Sequence, residues 1–232
     1  MSTTIQDTLE PQVQNLLIRH LPVAEQANIL SQAELIQLNF ADLLCQPGES
    51  YQYVYFPLTA FISLIAKLPK HPALEMGLIG YEGMLGATTL LSTRQVPSEA
   101  IIQGSGKAWR IPIAIFEELL AQSSNLRLIL ETYLHQLLCQ LSQNAVCAHF
   151  HSVESRLARW LLMSHDRIQS NELFLTHKFL SDMLGVRRSS ITEAAGELQN
   201  SGCISYNRGR LHILDRQGLL ARCCSCYRTM RT

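Results

Sequence analysis

The chain has 232 residues, 47% of them hydrophobic, with 19 Lys and Arg against 19 Asp and Glu. That length and apolar content suit one large or two modest cores, which excludes a disordered chain. Seven cysteines, an odd number in so long a chain, argue against a secreted disulfide framework and for reduced thiols. The zero net charge is unevenly placed. Residues 176–232 hold nine Lys or Arg against four Asp or Glu, a net +5, while residues 1–175 hold ten against fifteen, a net −5. A basic C-terminal part is the electrostatic footprint of a nucleic-acid partner. The N-terminus lacks a basic start followed by an apolar core, and no stretch approaches 18 uncharged apolar residues. The expected location is therefore the cytoplasm, with no membrane partner.

In chain order, residues 12–34 carry helical patterning broken at Leu21-Pro22. Short runs with strand character follow at residues 35–40, 53–56, 60–68, 74–79, 100–103 and 106–111, separated by Pro, Gly, Ser or Lys. Many short strands at this spacing predict a sandwich or small barrel. A metal-dependent enzyme built on such a barrel needs several converging imidazoles, and only His71 falls in this region. With no nucleophile set beside a base either, a non-enzyme is expected.

Residues 125–151 contain no Pro or Gly and form a long helix. Leu130, Leu134, Leu137, Leu141, Asn144 and Ala148 follow spacings of about four and three alternately, a heptad seam. The seam predicts pairing with a second copy, with polar Asn144 setting register; a helix packed on the β-domain shares most of the same pattern. Cys147 and His151 lie four residues apart on this helix, with His149 on another face; no further ligand is evident, so packing is favoured over metal binding. A further amphipathic helix spans residues 149–162, buried through Val153, Leu157, Trp160 and Leu161, and residues 164–171 read as a flexible stretch.

From Leu175 to Asp215 the pattern is a helix-turn-helix followed by a hairpin wing. Thr176 stands as an N-cap; Leu180, Met183 and Leu184 form an apolar stripe, and Gly185 ends the first helix. The second helix starts near Arg188 and buries Ile191, Ala195 and Leu198, leaving Arg188, Ser189, Thr192 and Glu193 on the outer face. Arg can donate a bidentate pair to guanine, Glu can accept from the cytosine amino group, and Ser or Thr can serve either. Residues 203–206 and 211–213 alternate around Asn207-Arg208-Gly209, a β-hairpin whose Arg208 and Arg210 would face phosphates.

These residues resemble the cyclic-AMP receptor protein and FNR (Crp/Fnr) family of bacterial transcription regulators. The match lies in Leu175-Thr176, Leu180, Met183-Leu184-Gly185-Val186, Arg188, Ile191 and Leu198, and extends thinly from about Gln12 to Tyr227. It implies an α+β architecture: a cyclic-nucleotide-binding-like jelly-roll domain at residues 12–122, a dimerisation helix at 123–148 and a winged helix-turn-helix at 149–232. It also implies double-stranded DNA, a second copy of the chain and RNA polymerase as partners, with palindromic operators read by the dimer. Contacts to DNA then fall to Thr176, Arg187, Arg188, Ser189, Ser190, Thr192, Glu193, Arg208 and Arg210. The family commonly has Glu where Ser189 stands, Arg where Glu193 stands and a Ser-type N-cap where Arg187 stands, so a different operator is expected.

The resemblance places a phosphate-binding cassette at Glu82-Gly83-Met84-Leu85-Gly86. Met84 stands where cyclic-nucleotide binders hold a ribose with Glu, and Val96-Pro97-Ser98-Glu99 replaces the region of their phosphate-binding Arg. Gly83, Met84, Gly86, Arg94 and Ser98 remain the candidate lining for an unknown small-molecule effector other than cyclic AMP. The family's iron–sulfur cysteines lie near the N-terminus, where this chain has none before Cys45. No cofactor or metal is expected, although Cys223, Cys224 and Cys226, between Arg222 and Arg228, carry a lesser redox or metal reading. The competing function is a signal-binding or protein-interaction module whose winged helix contacts a protein.

Overall fold

A computed structural model describes residues 15–71, 73–168 and 170–230. The expected domain start at residues 12–14 lies outside them.

Two short helices, α1 (Leu16–Arg19) and α2 (Val23–Ser31), are separated by Pro22, which caps the second. Proline suits the start of a helix because it has no N–H to lose. The Asn15 carboxamide oxygen caps α1 by accepting from Leu17 N at 3.0 Å. Its Nδ2 donates to the carbonyls of Pro57 (3.0 Å) and Gly83 (2.7 Å), pinning the entry of the chain to the β-domain.

That domain is a two-sheet roll. Its strands are β1 (Glu34–Leu38), β2 (Leu43–Cys45), β3 (Tyr53–Pro57), β4 (Phe61–Ala66), β5 (Leu74–Ile79), β6 (Glu99–Gly104) and β7 (Gly106–Pro112). The sheets run β1-β7-β3 and β2-β6-β4-β5, all antiparallel. Strand β4 is buried from Phe61 to Ile65, and side-chain alternation explains it: Ile62 and Leu64 join the roll interior, whereas Phe61 and Ile65 join the core of the C-terminal domain. A near-continuous apolar run is what a strand covered on both faces requires, and its one polar residue, Ser63, is hydrogen-bonded to Glu75.

After α3 (Ile113–Gln122) the chain enters α4 (Ser124–Phe150), 27 residues and about 40 Å long. The Ser123 side chain caps α4 by accepting from Leu126 N at 2.9 Å. Here the fold corrects the heptad seam. Leu130 and Leu137 are 0% and 9% exposed within the roll's own core, Leu141 packs against that core, and Leu134 is half-buried. Asn144 Nδ2 donates to the Met76 carbonyl at 2.5 Å, so it sets the register of α4 on β5 within the chain. The exposed large apolar residues of α4 are Leu128, Val146 and Phe150, on roughly the opposite side of the helix, and Leu138, on its flank about 80° from Leu130. The heptad is real, but it is the stripe that holds the helix to its own roll.

The C-terminal domain contains α5 (Val153–Ile168), β8 (Glu172–Phe174), α6 (His177–Leu184), α7 (Arg188–Asn200), β9 (Ile204–Asn207), β10 (Arg210–Ile213), α8 (Arg216–Arg222) and α9 (Cys226–Met230). The stretch expected to be flexible from residue 164 is instead the last turn of α5, in which Ser164 and Arg167 are buried. Arg167 forms an ion pair with Glu82 of the roll, through Nε–Oε1 at 2.9 Å among its contacts. Glu75 of β5 accepts from Ser63 Oγ (2.5 Å) and from Trp160 Nε1 of α5 (3.0 Å). The roll and the C-terminal domain thus share an apolar layer with buried polar ties through it. Among the described residues, no helix is long and apolar enough to cross a membrane.

Candidate nucleic-acid interface

Helices α6 and α7 are set by local chemistry. The Thr176 hydroxyl oxygen accepts from Phe179 N at 3.1 Å, and Gly185 ends α6 at φ +65°, a conformation glycine adopts without steric cost. The Arg156 guanidinium of α5 donates to the Leu184 carbonyl at the C-terminus of α6, locking the motif onto α5. Helix α7 buries Ile191, Ala194, Ala195 and Leu198 and exposes Arg187, Arg188, Ser189, Thr192 and Glu193, with Ser190 half-buried at the margin. No side chain caps its N-terminus, where Arg187 stands at the N-cap, so the positive end of the helix faces outward.

Strands β9 and β10 pair in antiparallel register, and β8 adds a third strand that the alternation of a three-residue segment could not reveal. Arg208 (φ +47°) and Gly209 (φ +83°) form the turn, the pair of positive φ values that a two-residue type I′ hairpin loop requires. Arg208 and Arg210 are exposed on this wing, and the Arg210 guanidinium lies 5.5 Å from the Phe174 ring centre on β8. Other cations of the domain are engaged: Lys178 with Asp182, Arg216 with Asp166 and Arg222 with Glu154.

His177, which sequence reasoning passed over, ties the parts together. Its ring centre lies 4.8 Å from that of Tyr206 on β9, and its Nδ1 is 2.9 Å from Thr192 Oγ1 on α7. The Thr192 hydroxyl also lies 3.1 Å from the Arg188 carbonyl. With one proton to donate, the hydroxyl can give it to that carbonyl and accept from His177 Nδ1–H. Burial and the Arg188 charge hold the His177 pKa below its ordinary value, favouring the neutral ring. The Tyr206 hydroxyl donates to the Leu175 carbonyl at 2.7 Å, and its backbone N–H to Gln199 Oε1 at 2.8 Å. Wing, first helix and second helix therefore form one rigid unit. Thr192 serves it structurally, which leaves Arg188, Ser189 and Glu193 as the outward side chains at the start of α7.

The candidate effector residues do not line an open cavity in common. Met84 is 0% exposed inside the roll, and the Tyr133 hydroxyl of α4 donates to its carbonyl at 3.2 Å. A Cβ added to Gly83 would lie 2.4 Å from Tyr133 Oη, so the tyrosine already occupies the space above the cassette. Gly86 sits at φ +98° beside Val54. Arg94 is on the surface in a two-point ion pair with Glu117 of α3, at 2.8 and 2.5 Å. Ser98 is half-buried beside Glu99, whose carboxylate pairs with Lys67 at 2.6 Å. The phosphate-binding geometry expected of this position is replaced by packing and by internal charge pairs.

Of the C-terminal cysteines, Cys224 and Cys226 turn inward and meet Cys147 and His151 of α4, whereas Cys223 lies outside this group. His149 is exposed and meets the Phe150 ring edge to face, with centres 4.5 Å apart.

Residues 155–222 match the family model of the Crp-like helix-turn-helix domain. No curated protein matches the chain. Among solved structures of similar fold is FixK2 from Bradyrhizobium japonicum, 15% identical with a TM-score of 0.69 over 83% of this chain and 98% of that one. The c-di-GMP responsive global regulator CLP of Xanthomonas campestris is 16% identical, with a TM-score of 0.63 over 84% and 100%. A CRP/FNR-family transcriptional regulator from Thermus thermophilus is 22% identical, with a TM-score of 0.62 over 82% and 97%.

Proposed function

Because the chain carries a Crp-like helix-turn-helix domain on the fold of Crp/Fnr-type transcriptional regulators, we propose that it is a sequence-specific DNA-binding regulator acting as a homodimer on a roughly palindromic operator. The observation that carries this reading is the outward face of α7, where Arg188, Ser189 and Glu193 are exposed beside an uncapped helix N-terminus and an arginine-tipped wing. Arg188 reads a base edge, while Arg187, Arg208, Arg210 and the α7 amides hold phosphates. Glu193 accepts from a cytosine amino group and repels the backbone elsewhere, which makes it a selectivity element.

The second copy pairs along the outer face of α4, through Leu128, Val146 and Phe150, exposed at 63%, 48% and 73%. Isolated apolar residues on a surface mean little, but Leu128, Val146 and Phe150 fall within about 40° of one another around a long helix, the material of a two-helix seam. The two α7 helices are then presented about one turn of DNA apart. The packed cassette and the engagement of Arg94 by Glu117 support an effector, where one acts, other than cyclic AMP.

The test is a competition binding assay on DNA upstream of the chain's own gene against random DNA, at several salt concentrations. Preference for one site, with log affinity falling by about 0.9 per log unit of salt for each phosphate contacted, supports the reading. Equal binding to all DNA at every salt overturns it, and salt-independent capture of a protein favours the interaction-module alternative.

A further inference from the structure

We propose that Cys147, His151, Cys224 and Cys226 form a binding site for a single thiophilic divalent cation of the zinc class, clamping the end of the long helix to the C-terminal helix. Their ligand atoms all lie within 4.8 Å of one another. Cys147 Sγ and Cys224 Sγ are 3.5 Å apart, as are Cys226 Sγ and His151 Nδ1. A tetrahedral zinc ion with bonds of about 2.3 Å to sulfur and 2.0–2.1 Å to nitrogen places two sulfurs about 3.8 Å apart and sulfur and nitrogen about 3.6 Å apart. Small side-chain adjustments bring all four atoms onto such a centre. A disulfide between Cys147 and Cys224 would instead need the sulfurs to close to about 2.05 Å.

The surroundings fit a metal–thiolate group. Cys147, Cys224 and Cys226 are 0%, 7% and 1% exposed and form a small cluster apart from the two main cores. Three thiols add little as an isolated apolar patch, whereas a closed set of four ligands is what a structural zinc site uses. Three thiolates, a neutral imidazole and a dication sum to one negative charge. Arg159 acts electrostatically on both Cys147 and Cys224, and Gln143 Nε2 donates to Cys226 Sγ at 3.0 Å. These are the outer contacts that orient ligands and offset the charge. Cys147 lies in the last turn of α4 and His151 caps its C-terminus, and Cys224-Ser225-Cys226 leads into the start of α9. Binding closes the corner at which the chain turns from the long helix into the DNA-binding domain.

The test uses the full chain, purified anaerobically, stripped with a chelator and titrated with Zn2+ and, separately, with Co2+. The expected result is one equivalent bound, intense visible bands of tetrahedral thiolate-bound Co2+, release of thiol protons on binding and a rise in Tm. Cys147→Ser and Cys226→Ser remove the cobalt bands and the stoichiometric binding, whereas Cys139→Ser and Cys223→Ser keep both. Because a ligand variant can also misfold, the wild-type cobalt spectrum stands as an independent arm. Absence of stoichiometric binding in the reduced wild-type protein overturns the site, as does a metal that Cys139→Ser or Cys223→Ser removes equally. Neither readout depends on DNA.

Discussion

Arg188 and Arg208 are both exposed arginines of one domain, yet their settings give them different work. Arg188 opens a helix whose opposite face is anchored by Ile191, Ala195 and Leu198, so its guanidinium is carried on a rigid element, as the proposed base contact requires. Arg208 sits at φ +47° in a two-residue turn at the tip of the wing, where it can follow a phosphate but has no frame for a base. Arg188→Ala is expected to cost about 1–3 kcal/mol on the preferred operator and to relax discrimination at one base pair of each half-site. Arg208→Ala is expected to weaken all sequences alike and to lower the salt slope by about one. Alanine does not relieve the positive φ, so the turn is no less strained and the change reads the side chain. Competition binding against single-base operator variants distinguishes them; equal loss on all DNA from Arg188→Ala contradicts its assigned role.

At the scale of the element, α4 carries apolar residues on two opposite stripes, and only one can face the roll. Leu130 is 0% exposed there and Leu128 is 63% exposed on the other side. Leu130→Ala deletes atoms from a packed core and is expected to lower unfolding stability by about 2–5 kcal/mol. Leu128→Glu removes nothing from the fold but sets like charges against each other across the proposed seam. It is expected to shift dimer to monomer in sedimentation while leaving the monomer's thermal transition in place, and to weaken operator binding by separating the half-sites. A Leu128→Glu protein that stays dimeric would remove the outer face of α4 as the seam.

Across the whole molecule, the buried ties between the roll and the C-terminal domain make their docking sensitive to pH. Burial pushes the Glu75 carboxyl up to about 7, outweighing its hydrogen bonds from Ser63 and Trp160 and the positive charges of Arg159 and Arg167. A carboxyl whose pKa is raised from 4.5 on folding binds its proton more tightly in the native state. The stability it contributes is complete below about 4.5 and is lost as pH rises through about 7, a swing on the order of 3 kcal/mol. Glu75→Gln keeps an acceptor for Trp160 and carries no titrating proton. It is expected to flatten the pH dependence of thermal stability in this window, and an unchanged profile would show that Glu75 does not govern it. Trp160 fluorescence reports the docking directly.

What the sequence determined by itself was what depends on near neighbours along the chain. Thr176, Gly185, Arg188 and the Arg208-Gly209 turn were readable because caps, helical spacing and turn chemistry act over a few residues. The missing phosphate-binding pair around Met84 was visible as a departure from the resembled family. The short β2 and β8 were not visible, since three residues carry too little alternation and their pairing partners lie far along the chain. Tertiary structure alone decided which stripe of α4 is inside: the period of a helix sets the spacing of a stripe but not the surface it meets, and the roll claimed Leu130 and Leu137. It also decided that His177 binds wing to helix, that Tyr133 fills the cassette, and that Cys147 meets Cys224 across 77 residues of chain. Such meetings are fixed by how whole elements pack, and a ligand set divided between two distant segments becomes a site only when that packing brings them together.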